Sequence, residues 1–155
     1  MRIAALDLGG TTGWAIGTNG KVQASGTIDL VPRRGESPGM RYLRLRAFLE
    51  DMRRGFPDIA LVGYEAAHHR GGAATEYGVG CATTVQAWCA ERGIEHQAVH
   101  TATLKKGITG NGRASKAEMV AAATVRLEPG AAPPRDDNEA DAICLCVYLG
   151  RLHGP

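Results

Sequence analysis

The sequence predicts an α/β fold, a mixed five-stranded sheet flanked by helices, and three observations lead there. The chain opens with an antiparallel meander, two of its strands meeting at Asn19-Gly20, a favoured two-residue hairpin turn. Helical and strand patterns then alternate to the C-terminus. Three distant segments each bring a carboxylate to the edge of an apolar run: Asp7, Glu65 and Asp141.

Residues 2–8, 13–18 and 22–30 read as strands joined by the turns Gly9-Gly10 and Asn19-Gly20. After the loop Pro32 to Pro38, the stretch 40–54 places Met40, Leu43, Phe48, Leu49 and Met52 at near-helical spacing with arginines between them, the pattern of an amphipathic helix. Ile59-Ala-Leu-Val-Gly-Tyr-Glu65 is the fourth strand, and the Gly-rich loop 68–72 leads into a long helix from about Ala73 to Arg92, closed by Gly93. A short strand covers 95–99. Ser115 caps a helix running to about Leu127, and Asp136 or Asp137 starts the last helix, which runs to about Leu149.

With 155 residues, 44% of them hydrophobic, the chain is long enough to bury a core as one domain spanning 1–155. Cys81, Cys89, Cys144 and Cys146 lack the paired short spacings of a zinc site, and no apolar run reaches the roughly 18 residues of a membrane span. The chain reads as cytoplasmic and reduced. Cys144 and Cys146 alternate with Ile143, Leu145 and Val147 in a helix apolar all round, so they are expected in the core, as are Trp14 and Trp88.

A net charge of +2 does not by itself argue for nucleic acid. Its distribution is more telling. Basic residues gather at Arg33-Arg34, Arg41 to Arg46, Arg53-Arg54, His68-His-Arg70 and Lys105 to Lys116, while acids concentrate around the three carboxylate segments. A basic surface around an acidic pocket suits a polyanion held over a metal site. Asp7 sharpens the point, because a carboxylate inside an apolar strand is costly unless a cation or donor network meets it. Oxygen-only carboxylate donors suit Mg2+ or Mn2+ rather than zinc or copper.

Taken in order, the Asp7 strand with its glycine turn, Glu65 ending the fourth strand, Lys105 and Lys116 eleven positions apart, and Asn138-Glu-Ala-Asp141-Ala make the chain resemble the RuvC-type Holliday junction resolvases of the RNase H-like superfamily. The stretch Thr109-Gly-Asn-Gly-Arg-Ala-Ser-Lys116 resembles the compact RuvC-like proteins often encoded by phages, which implies the cytoplasm of a bacterial or phage-infected cell. The resemblance implies a Mg2+-dependent endodeoxyribonuclease that nicks four-way junctions with two metal ions per site. Asp7 would bridge the ions, Glu65 bind one and Asp141 the other. Lys116, counted with these acids as catalytic, and Lys105 resemble lysines that act near the scissile phosphate, and Arg113 lies between them as a DNA contact.

Two places depart from the family pattern. Three residues before Asp141 the family has Asp or His, whereas this chain has Asn138, whose amide oxygen brings no charge; Asp137, four before Asp141, is the alternative ligand. In the loop after Glu65 the family carries a wedging aromatic ring, whereas this chain has His68, with His69 and Arg70 beside it as further DNA contacts. The helix 73–92 resembles the family's dimer helix, with Val79, Val85 and Trp88 available for burial, implying a homodimer that presents two sites to a symmetric junction.

Other readings stand beside this one. One is a broader endonuclease that cuts flaps and other branched DNA. Asp7-Leu-Gly-Gly-Thr-Thr12 also resembles the phosphate-binding turn of sugar kinases in the actin-like group. Asn138 leaves room for a non-catalytic RNase H-like DNA-binding module.

Overall fold

The computed structural model describes residues 1–66 and 71–155. Its elements are β1 (Arg2–Asp7), β2 (Thr11–Thr18), β3 (Lys21–Asp29), α1 (Met40–Gly55), β4 (Ile59–Glu65), α2 (Gly72–Arg92), β5 (Glu95–Val99), α3 (Thr101–Thr109), α4 (Lys116–Thr124) and α5 (Asp137–Leu152). The five strands form one sheet in the order β3-β2-β1-β4-β5. β1, β2 and β3 pair antiparallel, while β4 runs parallel to both β1 and β5. The expected hairpin turn is present, with Asn19 and Gly20 both at positive φ (53° and 78°), as a two-residue turn of the I′ kind requires.

Both faces of the central strand are buried, which explains the unbroken apolar run of β1. Ile3 and Ala5 pack into one core with α3, α4 and α5. Ala4 and Leu6 pack into the other with α1 and α2. Period-two alternation therefore turns Asp7 to the α5 side, with Ile3 and Ala5. The same counting along β4 puts Gly63 and Glu65 with Leu61, which belongs to the α5 core. Strand parity alone aims both acids at one helix.

α5 has sheet on one side and α3 and α4 on the other, so it is apolar all round. Its approach to the sheet is close. A Cβ on Gly63 would lie 2.0 Å from Leu149 Cδ1, and one on Gly13 would lie 1.9 Å from the carbonyl oxygen of Asn138. All four cysteines are free and buried, Cys81 and Cys89 in α2 and Cys144 and Cys146 in α5. Trp88 is buried, and Trp14 packs partly buried against the α1/α2 core.

Several local expectations change. The sequence pattern assigns no element to 100–114, yet α3 occupies Thr101–Thr109. It offers only Leu104 and Ile108 to the core, too few positions for a periodic signal, and tertiary packing against α5 makes the helix. α4 stops at Thr124 rather than near Leu127; there the Arg126 guanidinium turns back to donate to the carbonyls of Ala122 (2.6 Å) and Ile108 (2.9 Å). In α1 the inward face is Leu45, Leu49 and Met52, and Leu43 is 60% exposed. In α2, Val85 and Trp88 lie in the core, whereas Val79 is 40% exposed. Of these three side chains, Val79 alone is exposed to a second chain.

The helix caps agree with the sequence. Ser115 Oγ accepts from Glu118 N–H (3.1 Å), and Asp136 Oδ1 accepts from Glu139 N–H (2.9 Å). Glu139, buried, completes the second cap by accepting from Arg135 N–H and Ser25 Oγ, both at 2.7 Å, which ties the start of α5 to β3. Among the described residues no helix is long and apolar enough to cross a membrane.

Candidate active site

Asp7 at the end of β1, Glu65 at the end of β4 and Asp141 in the second turn of α5 come together above the sheet. One carboxylate oxygen from each lies within 4.8 Å of the other two. Three like charges so close in a half-buried place oppose ionisation. Burial, then the charges of Glu65, Asp141, Asp137 and Asp136, push the Asp7 carboxyl up to about 8. Burial and the charges of Glu65 and Asp137 push Asp141 up to about 6, against the opposing pull of Lys105 and Lys116. An all-oxygen group in which Asp7 and Asp141 resist ionisation fits a hard divalent cation, which would neutralise the cluster.

The walls of the site are fixed by hydrogen bonds. Glu65 Oε2 accepts from the Thr101 hydroxyl at 2.7 Å. After Asp7, the Gly9 carbonyl accepts from Thr12 Oγ1 (2.9 Å) and from the Tyr77 hydroxyl of α2 (2.6 Å), while Gly9 N–H donates to Thr12 Oγ1 (3.3 Å). Thr12 is fully buried. The Gly9 N–H is thus taken by a hydroxyl of the same turn.

The other expected residues fall in different places. Asp137 is outside the group of three; its Oδ2 lies 3.0 Å from Lys116 Nζ, and that pairing lowers the Asp137 carboxyl and raises the exposed Lys116 ammonium. Asn138 precedes Asp141 by one turn and presses its backbone against Gly13. Lys105 is half-buried on α3, and Arg113 is exposed between α3 and α4. His68, His69 and Arg70 lie outside the described residues. Of the arginines on α1, Arg44 pairs with Glu36, Arg46 with Glu91 and Arg54 with Asp51, and Arg41 lies over the Tyr77 ring. Much of that basic run is therefore spent on intramolecular contacts, and among the described residues the cations that lower the Asp141 carboxyl are Lys105 and Lys116.

Sequence reasoning missed Thr101, Gly13 and Tyr77. Gly13 left a trace, since a glycine inside a strand marks a close approach by another part of the chain. Thr101 and Tyr77 left none, because each acts on a residue far away in sequence.

A mixed sheet in the order 32145, covered by helices on both faces and with carboxylates delivered by the first and fourth strands and the last helix, is an RNase H-like α/β fold. Within that class the chain has the fold of RuvC. It is similar to the Thermus thermophilus RuvC structure, with TM-score 0.78 and 20% identity over 96% of this chain and 92% of that one. It is also similar to T. thermophilus RuvC solved in complex with Holliday junction substrate, with TM-score 0.81 and 20% identity over 98% and 96% of the two chains. No protein-family model matches the sequence, and no curated protein matches it.

Proposed function

We propose that this protein is a Mg2+-dependent, structure-selective endodeoxyribonuclease that nicks four-way DNA junctions, acting as a homodimer. The observation that carries the proposal is the convergence of Asp7, Glu65 and Asp141 on the α5 face of the sheet. The likeness to a RuvC solved with a Holliday junction supports the choice of substrate. These three carboxylates would hold the divalent ions, Mg2+ or Mn2+, with Asp137 or Asn138 as the further ligand. When bound, such ions activate the attacking water and stabilise the leaving 3′ oxygen of the phosphodiester.

The chain's own residues supply the rest. Asp7 and Asp141, whose carboxyls are raised by burial and by the negative field of their acidic neighbours, would ionise as the cations bind. Lys105 and Lys116 offset that negative field and provide charge for the strand's phosphates, with Arg113, His68, His69 and Arg70 as further contacts.

Labelled four-way, flap and linear duplex DNA, each with and without Mg2+, tests the proposal. Paired nicks in the four-way junction, only with metal, are expected, together with sedimentation of the protein as a dimer. Equal cutting of flaps would broaden the substrate to branched DNA in general. Tight junction binding with no cutting in either Mg2+ or Mn2+ would leave a non-catalytic DNA-binding module.

The role of Asp137 is separable from that of Asn138. Because Asp137 is bonded to Lys116, Asp137→Asn is expected to lower the nicking rate a few-fold without changing the Mg2+ concentration for half-maximal rate, the modest loss that an exposed ion pair supplies. Lys116→Ala should give a similar loss, with little further loss in the double variant. A raised Mg2+ requirement in Asp137→Asn would instead make its carboxylate the fourth ligand. The same result in Asn138→Ala would assign the amide.

A further inference from the structure

The geometry points to Thr101 as a positioning residue, whose hydroxyl holds one oxygen of Glu65 and so fixes how that carboxylate meets a divalent cation; the inference rests on the nuclease reading above. Glu65 ends β4, and a glutamate at a strand end keeps rotational freedom about its side-chain bonds unless something holds it. Its Oε2 accepts from Thr101 Oγ1 at 2.7 Å, the short range of a hydroxyl bonded to a carboxylate.

The backbone on both sides of that bond is set by the sheet. Val99 pairs with Glu65 in the β4/β5 ladder, and Ala66 N–H donates to the Val99 carbonyl (2.8 Å), which continues the pairing one residue beyond Glu65. Thr101, two residues past Val99, starts α3 at the height of Glu65. Leu104 and Ile108 are buried and pin α3 against the core, so the hydroxyl cannot drift away.

Helical spacing then gives α3 a second contribution. Lys105 is four residues after Thr101, on the same face, and its charge acts on Asp141. One short helix therefore orients Glu65 by a hydroxyl and carries a cation on the same face. Partners that orient a ligand in this way typically change metal affinity by about 10–100-fold when lost.

Mn2+ titration of the full chain by calorimetry, without DNA, tests the assignment in three variants. Thr101→Val keeps the shape and removes the hydroxyl, Thr101→Ala removes both, and Thr101→Ser keeps the hydroxyl. Thr101→Val and Thr101→Ala are expected to weaken Mn2+ binding about tenfold or more, and Thr101→Ser to remain within about threefold of wild type. In junction nicking, Thr101→Val should need more Mg2+ for half-maximal rate, while its rate at saturating Mg2+ returns to within a few-fold of wild type. A purely structural role would lower the melting temperature and spare the Mn2+ affinity of the folded fraction. Mn2+ affinities of Thr101→Val and Thr101→Ala within twofold of a wild type that binds metal and nicks DNA would overturn the role of Thr101 alone. A wild type that neither binds Mn2+ nor nicks would overturn the nuclease reading and this inference with it.

Discussion

Replacing Asp7 with Asn should abolish nicking, by about three orders of magnitude or more, and at the same time make the metal-free protein more stable at neutral pH. The first effect follows from loss of the acid that faces both Glu65 and Asp141. Junction affinity should stay within a few-fold, because phosphate contacts come from cations. The second effect follows from the Asp7 carboxyl, raised by burial and by its acidic neighbours to about 8 from 3.8. A raised carboxyl means that the folded state holds a proton that the unfolded state has released. Stability of the metal-free protein therefore falls as pH rises through the window from about 4 to about 8.

The variant lacks that loss. Allowing for relaxation of the site, the gain at pH 8 is on the order of 2–3 kcal/mol, or about 5–10 °C in melting temperature. The same proton must leave when metal binds, so the apparent Mg2+ affinity of wild type should tighten up to about tenfold per pH unit between pH 6 and 8. Melting curves at pH 5 and 8 with EDTA, compared with nicking rates in Mg2+, check all of this. An Asp7→Asn protein that cuts normally, or melts with the pH dependence of wild type, would remove Asp7 from the site.

Gly13→Ala should be the most damaging small substitution in the sheet. Its added Cβ would sit 1.9 Å from the Asn138 carbonyl oxygen, 2.3 Å from the Asn138 carbonyl carbon and 2.8 Å from the Glu139 nitrogen, all backbone atoms that cannot rotate away. Either β2 bows or the start of α5 lifts. Overpacking of this kind costs about 1–3 kcal/mol or more, a fall of roughly 5–10 °C in melting temperature.

The site should suffer beyond the stability loss. Gly13 pairs with Asp7 across the β1/β2 ladder, and Asn138 lies one turn before Asp141, so the clash sits between two of the three acids. A shift of about 1 Å in such a group can cost roughly 100-fold in rate. Gly55→Ala is the control, since a Cβ there meets nothing within 4 Å and the position lies at the exposed end of α1. It should leave melting and nicking near wild type. Wild-type Mn2+ affinity in a well-folded Gly13→Ala would show that α5 tolerates a wider seat.

The amino-acid pattern carried the fold class, the five strands, the hairpin turn and the Ser115 cap of α4, because these rest on signals between neighbours: period-two runs, Asn-Gly, and a Ser just before a helical run; the choice of Asp136 over Asp137 as the cap of α5 came from the structure. The pattern also placed Asp7, Glu65 and Asp141 at the ends of apolar runs, the ends from which strand parity and helix entry turn them toward one another. The rest came from packing. α3 exists because Leu104 and Ile108 find the core, and nine residues with two buried positions are too few to announce a helix. Val85 is core rather than interface because α2 presses that face on the sheet, which helical spacing cannot say without knowing the direction of the sheet. Asp137 went to Lys116 and Glu65 to Thr101 through contacts spanning 21 and 36 residues. Hydroxyls and ion pairs act over about 3 Å, and only the packed chain decides which groups come that near.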